Sequence, residues 1–140
     1  MVKRALGGRK DIWLIDHRKY RRNFCRLALE KEGFAITESD QYLYPPPGVR
    51  LDSKPALVVL GCTTVGPEER DLVGRIVKLH HSLLVLPTVV APDVMRSLFR
   101  AGAQDVTEMP GAGDQLVQLV DGAIARDAAA TSYRSVLDGI

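Results

Sequence analysis

Ala56-Leu57-Val58-Val59-Leu60-Gly61-Cys62 is an unbroken apolar run that ends in small residues and holds no charge. Its length is that of a strand. Its continuity is that of a strand covered on both faces, at the centre of a parallel sheet. The residues flanking it should therefore alternate between strands and crossover helices.

Upstream, Asp11-Ile12-Trp13-Leu14-Ile15-Asp16 is a first strand closed by an acid. A helix is expected from Arg18 to Lys31, with Tyr20, Phe24, Leu27 and Ala28 recurring at helical spacing. Gly33 suits the position just past its end, and Phe34–Glu38 reads as a second strand. Residues 40–54 break the pattern. Tyr42-Leu43-Tyr44-Pro45-Pro46-Pro47-Gly48 is unfit for an ordinary helix, because three prolines remove donors and restrict their neighbours. An extended, partly polyproline loop is expected there, either a recognition surface with exposed Tyr and Pro or a linker that replaces a helix.

Downstream, Gly66-Pro67-Glu68-Glu69 is a helix start, with proline in the first turn and acids near the positive end of the dipole. Leu72, Val73, Ile76, Val77, Leu79 and His80 form its apolar stripe. Ser82–Pro87 is a fourth strand. Ala91-Pro92-Asp93 opens a helix through Ala101, with Val94, Leu98 and Ala101 inward, and Asp105–Met109 is a short fifth strand. Asp114 can cap a last helix whose Leu116, Leu119, Val120, Ala123 and Ile124 share one face. Residues 127–140 continue that helix or begin a linker, residues 1–10 are a basic lead-in, and no internal repeat is present.

The expected fold is α/β: a flavodoxin-like, doubly wound, five-stranded parallel sheet in the order 2-1-3-4-5, with helices on both faces. Its switch point falls between the first and third strands, whose carboxyl ends carry Asp16-His17 and Gly61-Cys62.

Composition agrees. The 140 residues are 46% apolar and 26% charged, as expected of one soluble globular domain. No apolar run has the length to cross a bilayer and no signal-peptide pattern opens the chain, so a cytoplasmic protein without membrane partners is expected. Cys25 and Cys62 lack metal-ligand spacing and read as reduced, buried thiols. The net charge of +2 is uneven: residues 1–33 carry ten bases and four acids, leaving the first third near +6 and the remainder near −4. Arg18, Lys19, Arg21, Arg22 and Arg26 concentrate this charge on the first helix. Such a patch is a solvated helix face or, as the alternative function, a surface for nucleic acid or an acidic partner.

The order of these pieces resembles the receiver domain of bacterial two-component response regulators, from about Asp11 to Arg126. Leu14-Ile15-Asp16-His17 resembles the family's acidic end of strand one, and Arg26–Phe34 its first helix and turn. Pro55–Leu60 resembles the run leading to its phosphoacceptor. Ala101-Gly102-Ala103-Gln104-Asp105-Val106 and Met109-Pro110 resemble the start and end of its fifth strand.

The family's chemistry uses two acids for Mg²⁺, an aspartate nucleophile, a Thr or Ser, and a lysine for the phosphoryl oxygens. Asp16 matches the first acid. His17, a poor Mg²⁺ ligand, replaces the second. Gly61 replaces the nucleophile and Met109 the lysine, while the hydroxyl position falls on Pro87 or Thr88. The resemblance thus implies an atypical, or pseudo-, receiver: a phosphorelay fold that signals by protein–protein interaction without aspartyl phosphorylation, with no cofactor and no enzymatic activity.

It also implies a partner or homodimer face made of helix 4, strand 5 and helix 5 in the family's count. Here that face takes Met95, Phe99, Val106 and Glu108, with a polar rim of Arg96, Arg100, Gln115, Gln118 and Asp121. Three weaker patterns complete the reading. Asp16, His17, Cys62 and Glu108 share a sheet edge and could supply a metal or small-ligand site. His80-His81 reads as structural. Gly111-Ala112-Gly113 is a weak anion-site candidate or a bend after Pro110. No Gly-rich phosphate loop follows strand one, which disfavours nucleotide binding.

Overall fold

The structure, a computed structural model, describes residues 10–50 and 52–138, with 128–138 described as backbone. Apart from Lys10, the basic lead-in lies outside the described residues. The elements are β1 (Asp11–Ile15), α1 (Lys19–Lys31), β2 (Ala35–Ser39), β3 (Leu57–Cys62), α2 (Pro67–Lys78), β4 (Leu83–Pro87), α3 (Pro92–Arg100), β5 (Asp105–Val106) and α4 (Gly113–Asp138). All strand pairs are parallel, in the order β2-β1-β3-β4-β5. This is the flavodoxin-like order.

Every residue of β3 is buried, which is why the opening stretch has no polar phase. Its side chains alternate between two cores. Val58, Leu60 and Cys62 join Trp13, Ile15, Leu83 and Val85 beneath α2 and α3. Leu57 and Val59 join Ile12, Leu14, Leu84 and Leu86 beneath α1 and α4. The helix that the first core lacks is replaced by the Pro-rich loop, which packs Tyr42, Tyr44 and Val49 against it. Of the two readings of this loop, the tyrosines fit the replacement of a helix and face inward: Tyr42 is buried, and the half-buried Tyr44 bonds His81 Nδ1 at 2.5 Å.

Several local expectations are corrected. On α1, Cys25 and Leu29 mark the inward line, whereas Tyr20 and Leu27 stand on the far side and are 91% and 59% exposed. At 100° per residue, neither falls in phase with Cys25 and Leu29. Helix α2 ends at Lys78 because His80 turns left-handed (φ 60°), leaving Leu79 and His80 outside the stripe and exposed. Ala101 lies beyond α3 and is exposed, and Ala103 is buried in its place. Strand β5 stops at Val106, although the Thr107 and Met109 N–H groups still donate to Val85 and Pro87 carbonyls.

Gly33 takes φ 92° just past α1, as expected. Gly113 opens α4, where a Cβ would lie 3.1 Å from Ala28 Cβ. Close approach of the two helices accounts for that glycine. Helix α4 runs on through the tail to Asp138. Among the described residues, no helix is long and apolar enough to cross a membrane.

Candidate functional site at the carboxyl end of the sheet

Parallel strands deliver their carboxyl ends to one edge, and the turns from β1, β3 and β4 meet there. Asp16, the residue after β1, is fully buried. A buried carboxylate needs a counter-charge and several donors. Arg21, two residues into α1, supplies both: Nε donates to Oδ2 at 2.5 Å and Nη2 to Oδ1 at 2.7 Å. The Arg18 backbone N–H adds a bond to Oδ1 at 2.9 Å. Arg22 Nη1 donates to the Asp16 carbonyl at 2.8 Å. Bonding to Asp16 raises the Arg21 pKa, so its charge is permanent.

The remaining guanidinium nitrogen faces outward. Arg21 Nη1 donates to Thr63 Oγ1 at 3.2 Å, just after β3, and to Thr88 Oγ1 at 3.3 Å, just after β4. Of the two candidates for the hydroxyl position, Thr88 is thus the one in the site. Pro87 pairs with Cys62 at the strand end and is buried.

Gly61 lies directly against this pair. A Cβ built on it would collide with the Asp16 carboxylate and come within 2.9 Å of its Cγ. The carboxylate thus fills the space into which a longer side chain at position 61 would extend. The Gly61 carbonyl accepts a bond from Tyr42 at 3.3 Å. His17 stacks on the Tyr42 ring, with centroids 3.6 Å apart, and its Nδ1 meets the Asp40 carbonyl at 2.6 Å. Its Nε2 lies 3.5 Å from Glu68.

Met109 packs against the α1–α4 core, and its sulfur is 4.0 Å from Cys25 Sγ. Burial pushes the thiols of Cys25 and Cys62 up to about 12, so neither is a thiolate near neutrality. The metal reading of Asp16, His17, Cys62 and Glu108 finds no support: no group of three or more His, Cys, Asp or Glu residues placed to hold a metal occurs among the described residues.

The basic patch is largely spent internally. Arg21 and Arg22 serve Asp16, while Arg22 and Arg26 also lie against Glu38, with Arg26 pairing Glu30 as well. Only Arg18 and Lys19 of the five are exposed.

The other candidate surface is built by α3, β5 and α4. Phe99 is 44% exposed, and Met95 is half-buried against the core. Val106, expected on this face, is buried in the core instead, because it lies on the side of β5 that packs with Leu98 of α3. Glu108 is exposed and lines a cleft of about 460 Å³ with Thr107, Met109, Pro110, Gln115 and Gln118.

Sequence reasoning placed Asp16, Gly61 and Thr88 at one edge, but it assigned Arg21 to a surface patch, read Tyr42 only as part of the Pro-rich loop and passed over Thr63. The available signal was an arginine five residues after a strand-end aspartate, close enough to fold back onto it.

Solved receiver domains superpose on this 2-1-3-4-5 parallel sheet. A response regulator from Thermotoga maritima matches with a TM-score of 0.69 at 23% identity, over 84% of this chain and 98% of its own. A CheY-like receiver domain protein from Methanospirillum hungatei JF-1 matches at 0.73 and 15% identity, over 88% and 99%. NtrX from Brucella abortus matches at 0.79 and 20% identity, over 91% of this chain and 30% of that longer one. No family model and no curated protein matches the chain. The chain therefore has the fold of response regulator receiver domains.

Proposed function

We propose that this domain is a pseudo-receiver. It serves signal transduction as a protein-interaction module, is not an enzyme, and is not switched by aspartyl phosphorylation. The observation that carries the reading is Gly61 against the Asp16–Arg21 pair. Glycine offers no nucleophile, and the carboxylate that would otherwise help to hold a metal is already neutralised by a guanidinium. The receiver fold of its structural neighbours supports a signalling role, and a bacterial cytoplasm is the setting proposed for it. Intact-mass measurement after incubation with acetyl phosphate and Mg²⁺ should show an unmodified chain. A stoichiometric phosphoryl adduct would sink the reading.

The contact face proposed is α3–β5–α4, reduced to Phe99, Met95 and Glu108. Phe99 is the exposed aromatic there, and aromatics and Met are enriched where proteins dock. Sedimentation of wild type and Phe99→Glu tests it. Loss of a dimer or of a partner in the variant is expected, and unchanged association removes the face. Nucleic-acid binding is the weaker alternative, since three of the five patch arginines and lysines are engaged within the fold.

A further inference from the structure

We infer that Arg21 is a built-in strap: an intramolecular cation that fixes the loops after β3 and β4 to the end of β1, in the manner of a bound ligand that never leaves. One guanidinium reaches three strand ends. Nε and Nη2 hold the fully buried Asp16, and Nη1 holds Thr63 and Thr88. The two loops are joined to each other by backbone bonds, Thr88 N–H to the Cys62 carbonyl and Val89 N–H to the Thr63 carbonyl, both at 2.9 Å. The Arg21 side chain links that pair to β1 and α1.

A two-state loop needs a ligand with unequal affinity for its states. Here the cation is covalently part of the chain, at a fixed and saturating effective concentration. The planar fork is what makes this possible, because a lysine is a point charge without the span to hold a carboxylate twice and two hydroxyls besides. Pro92 opens α3 four residues after Thr88. The strap thus anchors the start of the loop that leads into α3. It does so whether or not a partner docks.

The experiment is site-resolved amide exchange on the full chain. In Arg21→Lys, the Val89 amide should exchange about tenfold faster or more, the scale of a lost charge-assisted bond. Amides within β1 and β3 should keep their wild-type rates. Unchanged Val89 exchange, or an equal rise at every amide, overturns the strap. In Arg21→Ala, millimolar methylguanidinium should restore slow Val89 exchange saturably, whereas methylammonium should not. Equal effects of the two cations also overturn it. Should Arg21→Ala fail to fold, Thr63→Val removes one outward bond and leaves the ion pair and the Thr88 Oγ1 bond to the Cys62 carbonyl intact. The same acceleration at Val89 is expected, and its absence counts against the proposal. A phosphoryl adduct on the wild type would end the pseudo-receiver reading and leave these rates untouched, so the two can fail separately.

Discussion

The carboxyl end of the sheet and the α3–β5–α4 face are opposites in how they are satisfied. At the first, a buried charge meets its counter-charge and each outward donor finds an acceptor within the chain. At the second, an aromatic ring on α3 stands 44% exposed, and the residues after β5 line an open cleft with an acidic residue on its wall. A region whose bonding capacity is used internally has little left for a ligand. One that leaves apolar surface in water gains by covering it. The contrast teaches that this chain closes its bonds internally at the sheet edge and leaves apolar surface open on the flank.

The largest expected effect is at the satisfied edge. Arg21→Met leaves Asp16 buried without a counter-charge, and should lower unfolding free energy by about 3–5 kcal/mol in urea melts. Adding Asp16→Leu to it should recover much of that loss, since an apolar pair tolerates burial. A single-variant loss under about 1 kcal/mol would mean that the edge is not dry, and the comparison would fail.

Gly61→Ala comes next. Its methyl collides with the Asp16 carboxylate, which must move against its arginine. A cost of about 1–3 kcal/mol is expected. A neutral result would show the pair to be free to shift.

The smallest effect lies away from both regions and sharpens the contrast by its modesty. Burial, then the nearby Lys54 charge, holds the His81 pKa below its ordinary 6.5. The unfolded chain therefore binds that proton more readily than the folded one. Stability should be complete above the unfolded value and decline as pH falls through the window between it and the folded value. Protonating Nδ1 would also remove the acceptor that faces Tyr44. An NMR titration of the His81 ring should give a midpoint below 6.5, and a midpoint at or above it would refute the assignment.

Much of the fold was legible in residue order. The charge-free run of β3, the acid-closed run of β1 and the amphipathic last helix each follow from a period that local sequence carries. The expected strand order is the one found. Phase within α1 was harder to read, because Tyr20 and Leu27 are apolar yet face solvent, and periodicity does not say which apolar line meets the sheet. The Pro-rich loop was recognised as non-helical, but the inward packing of Tyr42 and Tyr44 depends on a core built by β1, β3 and β4.

What the sequence alone determined is the alternating α/β architecture and the lack of a side chain at position 61, since both are properties of residue type and order. What only the tertiary structure decided is what stands in that space. Asp16 and Arg21 are neighbours in the chain, but Thr63 and Thr88 are 42 and 67 residues away from Arg21. They meet because parallel strands return every carboxyl end to one edge. The resulting bonds depend on distance in space, which residue order does not encode locally.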